Sequence, residues 1–217
     1  HRLPMGAGVE QALEQFAELL PDTDFAAPHL EAIRAAFTPG ATLPDAFERV
    51  MARLLEPLGM LFVQAHAPAL KEASRSVLLA ELHGAAAHEE ALARRAAEIE
   101  AAGYDVQVHI LEGGVNLFLE GPSGRERVYR DDEGVHLRHS GTHYTRAQVE
   151  ACFERDPSVL TPNVLLRPVV ESAVFPTLAY VSGPGEQAYF AQMEPRFQAL
   201  DFGMPVVFPP LRPSLPT

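Results

Sequence analysis

Apolar and polar positions alternate with a helical period through the first part of the chain. Val9, Leu13, Phe16, Ala17 and Leu20 recur at three- and four-residue spacing until Pro21 stops the run. A second short helix is predicted from His29 to Phe37, closed by Pro39-Gly40. A third starts at Pro44-Asp45, with Phe47, Val50, Met51, Leu54 and Leu55 as its apolar stripe. Met60-Leu61-Phe62-Val63 is a short continuous apolar run between breakers, which predicts a buried parallel strand. Pro68 opens a long helical stretch to Ala102, with a division into two helices expected at Gly84. From Gly103 the period shortens: Val106, Val108 and Ile110 alternate, then Leu117 and Leu119. Glu126–Arg130, Val135–Arg138 and His143–Thr145 are further short strands, separated by turns rich in glycine and aspartate. Together they predict an antiparallel meander, followed by a helix over Arg146–Arg155. The last part reads as strand Leu178–Val181, turn Gly183-Pro184-Gly185, helix Glu186–Leu200 and strand Pro205–Phe208. That is a βαβ unit, and its crossover should be right-handed.

Composition narrows the function. Across 217 residues the formal net charge is −12, with 29 acidic against 17 basic residues. Such a balance argues against a nucleic-acid or anionic-membrane surface, since both need concentrated basic charge. Cys152 is the only cysteine, so no disulfide forms within the chain and no cysteine cluster binds metal. No run approaches the ~18 apolar residues of a membrane span. His1-Arg2-Leu3-Pro4 lacks a signal peptide's apolar core and an initiator methionine. A soluble intracellular protein is expected, and the missing methionine points to a piece of a longer polypeptide.

Several groups bear on chemistry. Arg167-Pro168 opens a short helix over Val169–Phe175, so Arg167 stands where free N–H groups and the helix dipole favour an anion. The alternative is a structural pair with a carboxylate such as Glu171. Gly183-Pro184-Gly185-Glu186 lies between a buried strand and a helix, where ligands of open α/β sheets bind. Glu186 could there receive an ammonium group or act as a base; alternatively it serves only the helix dipole. The turn is neither a Walker A nor a GxGxxG motif, so it signals no particular nucleotide. His136 and His139 differ by an odd number on a strand, and His83 and His88 lack i,i+4 spacing, so neither pair suggests a metal. His88-Glu89-Glu90 reads as a solvated face, and Cys152 as a packed thiol beside Val149 and Phe153.

Four blocks then stand in order: Asn163–Val170, Pro176–Glu186, Ala188–Gln192 and Met204–Val207. In that order and spacing they resemble the cysteine-adding enzyme family of bacillithiol biosynthesis, BshC. Weaker likeness runs back through Asn116–Leu119, Tyr104–Val108, Pro68–Lys71 and Pro39-Gly40. The resemblance implies an α/β chain: a partial Rossmann-like core with an N-terminal helical segment and a small antiparallel β-meander insertion. Its expected divisions are a helical connecting segment at 1–57, a strand and long helical stretch at 58–103, the meander with its helix at 104–160, and the second half of the core at 161–217. It also implies a cytoplasmic enzyme joining cysteine to the amine of glucosaminyl-malate, and a homodimer in the intact protein. The family's members are roughly twice as long, with a first core half and a C-terminal coiled coil that this chain lacks; the chain stops at Pro213–Thr217.

On this reading Asn163, Arg167, Gly183, Gly185, Glu186, Tyr189 and Gln192 line or border one substrate pocket. Arg167 would hold a carboxylate, plausible for malate, and Glu186 an amine of cysteine or of the sugar. Gln192, two turns into its helix, could instead stand behind the residues that touch substrate. No catalytic residue, metal or cofactor is fixed by the sequence. Ligation has to be driven, which implies ATP or ADP, yet no second glycine-rich phosphate loop follows a buried strand. The competing readings are a non-catalytic binding or scaffold module and another nucleotide-dependent ligase or transferase.

Overall fold

The computed structural model describes residues 4–211, so the extreme N-terminal residues and the proline-containing tail lie outside the description. The chain divides between Ala67 and Pro68 into two compact units.

The first unit holds α1 (Gly8–Leu19), α2 (Ala26–Ala36) and α3 (Leu43–Leu55), followed by a short 3₁₀ turn at Glu56–Leu58. All three follow the periodicity of the sequence. Thr42 caps α3 by accepting from Asp45 N at 3.3 Å, and its hydroxyl donates to Asp45 Oδ2 at 2.6 Å. Among its described residues only Ala36 and Ala46 are fully buried. The expected strand at Met60–Val63 is absent. Its residues form no ladder with any described residue, and Leu61 is 92% exposed. A parallel strand needs a neighbour for its N–H and C=O groups, and hydrophobicity alone does not supply one.

The second unit contains α4 (Pro68–Ala73) and α5 (Arg75–Ala101), then β1 (Gly114–Gly121), β2 (Gly124–Arg130), β3 (Val135–Leu137) and β4 (His143–Tyr144). It continues with α6 (Arg146–Arg155), β5 (Leu160–Pro162), α7 (Arg167–Val174), β6 (Ala179–Val181), α8 (Pro184–Ala199) and β7 (Val206–Phe208). The meander is the antiparallel sheet β4-β3-β2-β1-β5, and β6 and β7 pair in parallel across α8. The chain is thus α/β, as expected, with the βαβ unit at 179–208 in place, but β6 is not the buried strand expected before Gly183: two strands alone leave Leu178 and Val181 exposed. Helix α5 packs against α7, α8 and β1, and Leu78, Leu82 and Leu92 share a core with Leu117, Leu119, Phe190 and Phe197.

Two local expectations are corrected. Gly84 does not divide the helix; the break falls at Ser74, and α5 runs unbroken for 27 residues. A Cβ at Gly84 would lie 2.6 Å from His88 Cε1, so the glycine makes room for the imidazole one turn on. The 106–110 segment is not a strand either. The Gln192 carboxamide instead accepts from Val108 N at 2.9 Å and donates to Val108 O at 2.8 Å, taking the place of a neighbouring strand.

Helix α8 carries Pro195 in its interior, which leaves the Ala191 carbonyl without its helical partner. Arg95 Nε donates to that carbonyl at 2.9 Å, while its Nη1 and Nη2 reach Glu98 at 3.0 Å and Glu194 at 3.1 Å.

Two stability measurements follow. Helix propensity alone would make Gly84→Ala stabilising by about 1 kcal/mol. Because the new Cβ displaces the His88 ring, the expected result is a loss of roughly 1–3 kcal/mol in urea unfolding. Arg95→Ala should cost about 1 kcal/mol, and less in a Pro195→Ala background, where residue 195 can again donate to Ala191 O.

Candidate functional site

The site is assembled at the carboxyl ends of the two parallel strands, where β6 turns into α8 and α7 begins. Gly183 is the residue before α8, Pro184 supplies a first-turn position that needs no N–H, and Glu186 Oε2 accepts from Gly183 N at 3.2 Å. Arg167 starts α7. Its Nη2 donates to Tyr180 Oη at 2.8 Å and to Tyr189 Oη at 3.2 Å. Both hydroxyls pass the bond on, donating to Glu186 Oε1 at 3.0 and 3.3 Å. Arg167 Nη1 pairs with Glu171 Oε2 at 2.8 Å, and Nη2 lies 3.7 Å from Glu186 Oε1. One guanidinium, two carboxylates and two phenols therefore form one cluster.

Its electrostatics follow from these bonds. Burial pushes Glu186 up, but the Gly183 N–H, the two tyrosines and Arg167 outweigh it and hold the carboxyl below the usual glutamate value. Burial works against the Arg167 cation, yet the bonds to Tyr180 and Tyr189 dominate and raise its pKa. Tyr180 is raised, chiefly by burial. The side chains of Arg167, Glu171 and Glu186 are 43%, 36% and 39% exposed, so a ligand can reach all three.

This end of α8 does not suit a phosphate. Pro184 has no N–H, the Gly183 N–H is taken by Glu186, and a carboxylate already stands there. Two carboxylates against one guanidinium instead favour a ligand that brings positive charge. A Cβ on Gly183 or Gly185 would meet nothing within 4 Å, which leaves the backbone open to close approach.

Of the residues singled out in the sequence, Arg167, Glu186 and Tyr189 come together, with Gly183 and Gly185 beside them. The structural pair of Arg167 with Glu171, the alternative reading of that residue, is present. Asn163 and Gln192 have other partners. Asn163 Nδ2 donates to Asn116 Oδ1 at 2.8 Å, its Oδ1 accepts from Leu165 N and Leu166 N, and only its backbone carbonyl meets Arg167, through Arg167 N at 2.9 Å. Gln192 is fully buried and bonded to Val108.

Sequence reasoning missed Tyr180, Glu81 and Asn116. Glu81 Oε1 accepts from Asn116 N and Nδ2, both at 2.9 Å, and Oε2 accepts from His88 Nδ1 at 2.7 Å and from Arg196 Nη2. His88-Glu89 is thus no solvated face: His88 is buried, and Glu89 takes Arg130 and the Gly113 N–H. The signal was available, because Glu81 and His88 fall on the stripe of Val77, Leu78, Leu82, Ala85 and Leu92. In the meander, His136 and His143 both face Asp131, at 3.3 and 2.9 Å, while the His139 N–H donates to Glu126. Among the described residues no three His, Cys, Asp or Glu side chains are placed to hold a metal ion, and no helix is long and apolar enough to cross a membrane.

Comparison with known proteins agrees with this architecture. Residues 1–211 match the family described as bacillithiol biosynthesis BshC, N-terminal Rossmann-like domain. A protein of Salinibacter ruber named "Putative cysteine ligase BshC" is 32% identical over 215 residues, covering 99% of this chain and 39% of its own length. Proteins of the same name from Chlorobaculum tepidum and Bacillus cytotoxicus are 31% and 27% identical, over 96% and 92% of the chain but 38% and 37% of their own lengths. The chain therefore spans well under half of these relatives, and over that span it belongs to the BshC family, in its N-terminal Rossmann-like domain.

Proposed function

We propose that this chain forms part of a bacillithiol-biosynthesis enzyme that adds cysteine to glucosaminyl-malate, and that the Arg167–Glu186 cluster is where substrate binds. The observation that carries the reading is the joining of Arg167 to Glu186 through Tyr180 and Tyr189 at the ends of the parallel strands. Open α/β sheets bind ligands at this position. Support for the pathway comes from the names of the relatives.

The reaction joins the cysteine carboxyl carbon to the sugar amine nitrogen, with loss of water overall. A carboxylate held below its ordinary pKa is a weak base. Glu186 therefore orients an ammonium group and does not strip its proton. Arg167 can offer its fork to a substrate carboxylate once that carboxylate replaces Glu171 at Nη1. ATP would supply the driving force. The α8 turn does not fit its phosphates.

In the intact polypeptide, Arg167→Ala should lower kcat/KM for glucosaminyl-malate by roughly 100-fold, about 3 kcal/mol of transition-state binding. Glu171→Gln, which frees Nη1, should change it by less than tenfold. Unchanged turnover in Arg167→Ala would remove the cluster from the site and leave a structural ion-pair network.

Protonation gives a second test. The folded pKa of Glu186 is lowered, so its contribution is complete above the ordinary glutamate value of about 4.3 and is lost as pH falls through the folded value. Titration of Glu186 should therefore leave binding unchanged from about pH 5 to 8 and weaken it only on the acid side. Glu186→Gln should lack that acid limb in a calorimetric titration. The 217-residue chain alone, given glucosaminyl-malate, cysteine and ATP, should form no bacillithiol detectable by mass spectrometry. Turnover comparable to that of a full-length relative would place the catalytic groups wholly within it.

A further inference from the structure

The two halves of the candidate site reach the same buried carboxylate from opposite directions. Glu186 and Tyr189 lie on α8, and Arg196 on that same helix donates to Glu81 Oε2. Arg167 begins α7, whose first turn is held by Asn163: Oδ1 accepts from Leu165 N at 3.0 Å and from Leu166 N at 3.1 Å. Asn163 Nδ2 donates to Asn116 Oδ1 at 2.8 Å, and Asn116 donates twice to Glu81 Oε1 at 2.9 Å. Each link is buried: Glu81 and Arg196 are 0% exposed, Asn163 7% and Asn116 8%.

We infer that Glu81 is a positioning residue for the Arg167–Glu186 cluster, its carboxylate fixing α8 through Arg196 and the start of α7 through Asn116 and Asn163. The inference rests on the reading of that cluster as the substrate site. Several observations favour such a role over simple support. Glu81 has four donors and no solvent, so each of its bonds is directional and none is exchanged for water. Arg196 has Nε and Nη1 without a partner among the described residues, so the Glu81 bond is what orients its fork. The relay also ends in two peptide N–H groups immediately before Arg167, with one more bond from Arg167 N to Asn163 O at 2.9 Å. Displacement of the carboxylate thus reaches the Arg167 backbone through two buried side chains, Asn116 and Asn163.

The test uses the intact polypeptide. Glu81→Gln alone leaves a buried arginine without its counter-charge and endangers folding. The working variant is therefore Glu81→Gln with Arg196→Met, which removes both charges and keeps an acceptor for Asn116. Asn163→Asp is the companion: it keeps the acceptor for Leu165 and Leu166 but cannot donate to Asn116. Thermal melting confirms that each is folded. Calorimetry with glucosaminyl-malate should show the Kd raised at least tenfold in both, and in an Arg167→Ala background the same changes should cost less than twofold. The Nε–Hε resonance of Arg167 should also move in both variants, while that of Arg95 stays.

A Kd within twofold of the parent, or a tenfold loss that persists without Arg167, overturns the inference. If Arg167→Ala alone leaves the Kd unchanged, the substrate-site reading fails instead. The Arg167 resonance then decides the tie to Glu81 by itself: movement supports the positioning role, and a fixed signal overturns it.

Discussion

A carboxylate with no access to water sits near the start of α5, and much of the second unit is arranged around it. Burying an isolated Glu81 would cost several kcal/mol or force it to bind a proton. Burial does push its pKa up, but the bonds from His88, Arg196 and Asn116 outweigh that and leave it lowered. Those donors come from α5 itself, α8 and β1. The requirement to satisfy one carboxylate therefore fixes three elements, and a fourth, α7, follows through Asn163. His88 carries its hydrogen on Nδ1 because Glu81 can only accept, and its ring lies over Gly84, which explains a glycine in mid-helix. The ion pair is weak evidence for net stability, since an apolar replacement can do as well. Its stronger effect is on orientation.

The outer cluster differs in kind. Arg167, Glu171 and Glu186 are partly exposed, and their bonds compete with water and with any ligand. A site has to be exchangeable in this way, whereas its supports should not be. The contrast between the half-exposed cluster and the buried relay behind it is the physical basis for assigning binding to one and positioning to the other.

Much of this was legible in the sequence where periodicity or turn chemistry is local. The three N-terminal helices, the hairpins around Gly121–Gly124 and 131–134, α6 and the closing βαβ unit follow their patterns. So did Arg167 and Glu186, because a helix start and a βα turn announce themselves by proline and glycine. What the sequence hid depends on partners far along the chain. Glu81 meets Asn116 across 35 residues and Arg196 across 115, and Gln192 meets Val108 across 84. Met60–Val63 shows the opposite error: four apolar residues have the composition of a strand without a strand to pair with.

Pro195 in α8 has a geometric consequence. It removes one rung from the helix between the turn that carries Glu186 and Tyr189 and the turn anchored by Arg196 and Phe197. Helices bend most readily at such a point. The half of α8 that carries Glu186 and Tyr189 is thus a lever whose angle the helix does not set alone. Arg95, reaching across from α5 to the Ala191 carbonyl, acts as its stop. Three separate partners engage the three nitrogens of that guanidinium, a task for which a lysine ammonium on the same backbone has the wrong shape.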